Sequence, residues 1–394
     1  MTNQRHINSL EVVLKTVERC NLNCSYCYFF NGGDESYKKH PPLIKMETIE
    51  KIADFLLQGS KELNLKRILI DFHGGEPLMQ PVLQFEEMCK IFQDTLGQHV
   101  ELIFALQTNG TIFSEKYLEC LAKYKVNVGI SCDGPAKYHD VFRLDLKGKG
   151  SHERVAQNIH KFQQAVQDKI IPPIGILCVI NPEFDAKTIY HHFTRDFGVT
   201  FLDFMLPNYT YDSFVGSVES YANYLCDLFE AWVEDDDPSI NVRIIKNSLN
   251  LLTGKGAVLS TAGPLIDGYE TITIASSGEL GPDDALRSAS GDFLNTEMTI
   301  WNSTLKELVA HPLFNLFEDA LSNLHGECET CEWKNICEGG YLINRYSKEN
   351  QFHNPSLLCH ALKQFYSRIR TFLIENGFPK EKINEILKQR MQIC

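Results

Sequence analysis

The stretch LEVVLKTVERCNLNCSYCYFFNGG, residues 10–33, decides the fold. Its first eight residues form an apolar run of strand type, which leads directly into a loop carrying Cys20, Cys24 and Cys27. Three thiolates at the carboxyl end of one strand can converge, and C-x3-C-x2-C suits an iron–sulfur cluster. A [4Fe–4S] cube needs four ligands, so three cysteines leave one iron open to a bound small molecule. On these residues alone, a zinc loop completed by a nearby His, or ordinary core cysteines, are the alternatives.

Further apolar runs follow at KRILIDF (66–72), VELIFALQ (100–107), VNVGIS (126–131), IGILCVI (174–180) and FLDFML (201–206). The intervening segments, such as METIEKIADFLLQGSKEL and HERVAQNIHKFQQAVQD, space their apolar residues as helices do. Repeated β-then-α units predict an α/β fold with six parallel strands, open or curled into a partial barrel, and catalytic groups at the strands' carboxyl ends. After Pro207 the pattern gives way to helical stretches and a Gly- and Ser-rich segment, 254–291. The expected division is 1–207, a helical bridge 208–259, a domain 260–365 around a second cysteine set, and amphipathic helices 366–394.

The 394 residues are 43% hydrophobic, enough for two or three cores. The net charge of -13 disfavours nucleic acid. No apolar run is long enough to span a bilayer and no signal region is visible, so a soluble cytoplasmic protein without a membrane partner is expected. Thirteen cysteines, an odd count, argue against a complete disulfide framework. Cys394 is read as a free thiol on an amphipathic tail, and His73 as a polar surface or core residue.

With the aromatic Tyr26 before its last cysteine, the triplet resembles the radical S-adenosylmethionine (radical SAM) superfamily. The resemblance implies a partial (β/α)6 radical SAM barrel and an open iron that chelates S-adenosylmethionine, whose cleavage yields a 5'-deoxyadenosyl radical. HGGEPLM (73–79) matches the family's second motif in Gly74, Gly75, Glu76 and Pro77, with Glu76 receiving the methionyl amino group. LQTNGT (106–111) places Gln107 and Asn109 at the same mouth. GISCDGP (129–135) and HDVFR (139–143) supply Ser131 and Arg143, the implied holders of the methionyl carboxylate, with Asp133 a lesser contact.

The second set, Cys328, Cys331, Cys337 and Cys359, is spaced C-x2-C-x5-C-x21-C. Four thiolates close a cluster completely, for electron transfer or structure; zinc accepts the same donors. The spacing resembles the outer auxiliary cluster of the SPASM extension, which implies a C-terminal SPASM-like iron–sulfur domain and two [4Fe–4S] clusters in all. The inner SPASM cluster is expected to be absent: Tyr341 stands at one ligand position, and TAGPLIDGYETITIASSGELGPDD (261–284) has no cysteine. There Asp283 replaces an expected Cys, and Asp284 aligns with the general base of anaerobic sulfatase-maturating relatives. P-D-D is equally a turn and helix cap.

Within the superfamily, the sequence is read as a cytoplasmic maturase of ribosomally made (RiPP) peptides. It would form a cyclophane by joining an aromatic ring carbon to a side-chain β-carbon. Its expected partners are a precursor peptide with its leader, docking between 207 and 290, and a small electron donor such as flavodoxin or ferredoxin. The alternatives are an anaerobic sulfatase maturase, which makes formylglycine, and a thioether-forming peptide maturase.

Overall fold

The computed structural model describes residues 6–255 and 268–388. The expected domain edge at 259/260, part of the expected leader site and Cys394 lie outside them. In chain order the strands are β1 (Ser9–Val17), β2 (Arg67–Gly74), β3 (Glu101–Thr108), β4 (Asn127–Ser131), β5 (Gly175–Val179), β6 (Phe201–Met205), β7 (Asn241–Val242), β8 (Tyr269–Ile274) and β9 (Leu280–Gly281). The first six coincide with the six apolar runs to within about two residues. The fold is α/β with a parallel sheet, as expected.

Two compact units divide the chain. The first comprises residues 1–177 and 268–315, the second 178–267 and 316–394. β8 pairs in parallel with β1 from Ser9↔Tyr269 to Leu14↔Ile274. Residues 268–315, expected to belong with the second cysteine set, are thereby joined to the first unit. The short, Gly-flanked run YETITI gives no sequence signal of its partner.

In the first unit the strand order is β5-β4-β3-β2-β1-β8-β9, with only β8–β9 antiparallel. One face of β1 and β2 is apolar: Leu10, Val12, Leu14, Ile68, Ile70 and Phe72 are almost wholly buried. Phe72 packs on Phe85 and Phe104, with ring centroids 4.8 and 5.7 Å apart. The other face is polar. The register sets Val13 beside Asp71 and Thr273, and Lys15 beside His73, so the period-two alternation collects ionisable groups on one side. At the end of β1, Glu18 is buried; it accepts from Ser276 N–H at 2.8 Å and meets His40 Nδ1 at 2.8 Å, while His40 Nε2 reaches Glu279 at 3.1 Å.

In the second unit β6 pairs with β7. Helices Val218–Asp235 and Cys359–Glu375 pack through Phe229, whose ring is 6.4 Å from Phe365 and 5.4 Å from Phe372, and Arg368 pairs with Glu230 beside them. Among the described residues, no helix is long and apolar enough to cross a membrane.

Candidate active site

The loop after β1 holds Cys20, Cys24 and Cys27, all partly exposed. Cys20 Sγ accepts from Leu22 N–H at 3.4 Å and from Asn109 Nδ2 at 3.6 Å, and Asn109 also donates to Asn21 Oδ1 at 2.8 Å. Asn23 N–H bonds to Leu144 C=O at 2.8 Å, tying the loop to the segment after Arg143. Burial pushes the Cys20 thiol up to about 12 and raises Cys24 as well. Free, these thiols are neutral; iron binding displaces their protons, which makes assembly pH-dependent.

The glycines of HGGEP permit a close approach to this loop. A Cβ on Gly74, at φ +139°, would lie 2.1 Å from Val17 C=O, and one on Gly75 would lie 2.2 Å from Arg19 C=O. Gly75 N–H donates to Val17 C=O at 2.7 Å and Glu76 N–H to Arg19 C=O at 3.0 Å. Pro77 opens the short turn that follows. The Glu76 side chain is fully buried. Its oxygens accept from Leu78 N–H at 2.9 Å, Thr108 Oγ1 at 2.8 Å and Asn109 N–H at 2.7 Å, so its carboxylate joins the ends of β2 and β3. Burial raises Glu76 to about 7, against the pull of those donors.

Across β3 and β4, Gln107 Nε2 donates to Ser131 Oγ at 2.8 Å. Asp133 is the hub of the next group: it accepts from Arg143 Nε at 2.8 Å and from the Tyr26 hydroxyl, and the Arg143 guanidinium lies 5.5 Å from the Tyr26 ring. Tyr26, Asp133 and Arg143, read from three separate motifs, are thus one constellation. Arg143 is buried and ion-paired.

The two aspartates after β9 part company. Asp283 caps its own turn, accepting from Ala285 N–H at 3.0 Å. Asp284 is buried in an array that sequence reading missed: it is ion-paired with Lys15 and accepts from Tyr28 Oη at 3.1 Å. Lys15 Nζ also donates to His73 Nδ1 at 3.0 Å, and both Lys15 and Arg287 lie over the Phe29 ring, at 4.9 and 4.4 Å. Burial would raise Asp284, but the charge of Lys15 first, with that of Arg287 beside it, brings it down to about 2. Burial and the neighbouring Asp284 charge raise Asp283 to about 7. Burial and Lys15 lower His73 to about 3, so the imidazole is neutral and accepts a hydrogen bond from the Lys15 ammonium. The available signal was a lysine inside an otherwise apolar strand, in register with a histidine that ends the next.

Residues 14–189 match the Radical SAM superfamily. Residues 14–189 form a radical SAM domain. The chain is 26% identical over 357 residues to a cysteine-type anaerobic sulfatase-maturating enzyme of Clostridium perfringens (strain 13 / Type A), covering 88% of this chain and 92% of the relative. A serine-type anaerobic sulfatase-maturating enzyme of Bacteroides thetaiotaomicron is 24% identical, covering 95% and 92%. The solved structure described as native anSMEcpe with bound AdoMet superimposes with a TM-score of 0.78 at 25% identity, covering 93% of this chain and 98% of that one. These likenesses run along nearly the whole chain and overturn the cyclophane reading, pointing instead to the sulfatase-maturating alternative.

The cofactors are S-adenosylmethionine and two [4Fe–4S] clusters, one in the radical SAM domain. In the second unit, Cys328, Cys331, Cys337 and Cys359 are mutual electrostatic neighbours: burial, then the charges of Cys359, Cys328 and Cys331, pushes Cys337 up to about 12. Among the described residues no three Cys, His, Asp or Glu side chains are placed around a single ion. A cube that gives each thiolate its own iron does not require that convergence. The four sulfurs fit the auxiliary cluster.

Proposed function

We propose that this radical SAM enzyme oxidises a Cys or Ser side chain of a peptide or protein to formylglycine, as an anaerobic sulfatase maturase does. The observation that carries the reading is Asp284: a buried carboxylate, held ionised by Lys15 and bonded to Tyr28, on the residue that follows Cys27. Whole-length similarity to enzymes named for this activity supports it.

S-adenosylmethionine, when bound at the first cluster, supplies a carbon radical able to take one hydrogen atom from the substrate's β-carbon. One proton and one electron must then leave. As the electron leaves, the S–H or O–H becomes that of a protonated thioaldehyde or aldehyde, which is strongly acidic, so a carboxylate as weakly basic as Asp284 suffices to take the proton. Lys15 and Tyr28 hold that carboxylate in place, and His73, neutral, holds Lys15. A serine gives the aldehyde directly; a cysteine gives a thioaldehyde, which water converts to aldehyde and hydrogen sulfide. Cys328, Cys331, Cys337 and Cys359 would hold an acceptor for the electron, and a flavodoxin or ferredoxin is the proposed source of reducing equivalents.

The test is anaerobic incubation of reconstituted protein with S-adenosylmethionine, dithionite and sulfatase-type peptides bearing Cys or Ser, read by mass spectrometry after hydrazide capture. An aldehyde is expected. Asp284→Asn is expected to abolish it while 5'-deoxyadenosine still forms. Wild-type cleavage of S-adenosylmethionine without aldehyde on either peptide would overturn the proposal.

A further inference from the structure

We propose that Arg345 is the buried cation that sets the reduction potential of the auxiliary cluster held by Cys328, Cys331, Cys337 and Cys359. Arg345 is among the largest side chains in the molecule with no solvent exposure. Its Nε donates to Asn354 C=O at 3.3 Å, while Nη1 and Nη2 have no partner among the described residues. A guanidinium buried with two unanswered nitrogens is costly, and a cation in that state calls for a counter-charge. The ionisable groups that bear on it are the thiols of Cys328 and Cys337, which become thiolates when they take up iron.

The chain between Cys337 and Cys359 is built around this side chain. Gly339 and Gly340 follow Cys337 at φ +84° and +74°, turning the backbone back on itself. A Cβ on Gly339 would stand 3.1 Å from Arg345 Nη1 and 2.9 Å from Leu324 Cδ2, so the glycine leaves room for the guanidinium. Asn354 closes the loop from the other side, its Nδ2 donating to Arg345 C=O at 2.8 Å. Leu357 N–H then bonds to Asn344 C=O at 2.8 Å, and Cys359 N–H to Ser356 C=O at 2.9 Å. The fold thus fixes Arg345 and two of the cysteine ligands in one short circuit of backbone.

A cubane on four thiolates is anionic and gains a further negative charge on one-electron reduction. N–H donors and positive charge beside its sulfurs stabilise the reduced form more than the oxidised form, which raises the potential. Two donors face the same ligands: Tyr366 toward Cys337, and Lys363 toward Cys359. Lys363 is exposed, and its charge is screened by water and salt; Arg345 is not. Of the two cations, Arg345 therefore raises the potential more. This inference rests on the auxiliary cluster and not on the substrate, and its test needs no peptide.

The experiment is an anaerobic, EPR-monitored redox titration of the full chain carrying Cys20→Ala, Cys24→Ala and Cys27→Ala, which leaves the auxiliary cluster alone. In that background Arg345→Met is expected to lower the one-electron reduction equilibrium at least tenfold, a fall of about 59 mV in midpoint. Arg345→Lys keeps the charge but loses the forked donors, and its midpoint is expected between the two. Lys363→Met is expected to shift it less than either. An Arg345→Met protein with its full iron and an unchanged midpoint overturns the proposal. Should the Met variant fail to hold iron, the Lys variant decides: a lowered midpoint supports the assignment, and an unchanged one rejects it.

Discussion

Lys15 on β1 and Asp284 beyond β9 form an ion pair whose side chains are only 1% and 5% exposed. Breaking such a pair from one side leaves an uncompensated buried charge, at a cost of about 3–5 kcal/mol. Lys15→Met and Asp284→Asn should each lower the denaturation midpoint of anaerobically purified protein. The double variant should lose clearly less than the sum. Additive losses would show that the two charges do not act as a pair.

The Glu18–His40–Glu279 group gives stability a pH dependence. Burial opposes protonation of His40, but the hydrogen bonds to Glu18 and then Glu279 outweigh it and raise the imidazole to about 9. Because the folded-state value lies above the ordinary one of 6.5, the stabilisation is complete below that value and is lost as pH rises through about 9. Urea midpoints should therefore fall between about pH 6.5 and 9.5 by the equivalent of about 3 kcal/mol, and His40→Gln should flatten the change. A wild-type midpoint that is level over this range contradicts the group's role.

Asp133 organises Arg143 and Tyr26, so Asp133→Asn should release both without touching the cysteines. The expected outcome is S-adenosylmethionine binding weakened by roughly tenfold, about 1.4 kcal/mol, with unchanged cluster absorbance. Equilibrium dialysis with labelled cofactor measures it. Unaltered affinity would remove Arg143 from the cofactor's contacts.

Gly75→Ala should force β2's end away from Arg19, since the new Cβ meets its carbonyl at 2.2 Å. The first cluster is then expected to be lost and the second kept, giving about four irons per chain in place of about eight. Iron and sulfide analysis distinguishes this from global misfolding, which loses both.

Much of this arrangement was legible in the residues. Six strands, the cysteine loop and the Gly-Gly-Glu-Pro turn announce themselves because apolar periodicity and ligand spacing are local properties of the chain. Glu76 shows the limit: its type suggested a cofactor contact, but nothing local announced that its oxygens accept from Leu78, Thr108 and Asn109. The P-D-D segment admitted a cap or a base, and the structure places the cap on Asp283 and sets Asp284 in the ionic array. The roles of Lys15 and Tyr28 went unread, and His73 passed as an ordinary polar residue, because their partners lie tens to hundreds of residues away, which no spacing rule reports. The reaction itself was misjudged: the cysteine pattern specifies the radical-forming apparatus, and substrate choice is written elsewhere.

The parallel pairing of β1 with β8 governs how the protein can be dissected and how it can be made. A polypeptide ending at residue 207 would carry every residue of the radical SAM motif and still lack the strand that flanks β1. The exposed edge of β1 would then be a template for self-association, at the strand that delivers the cysteine loop. During synthesis the same edge stays unpaired until the more than 250 residues from Ser9 to Tyr269 have been made, so cluster insertion into the nascent first unit competes with aggregation until β8 emerges.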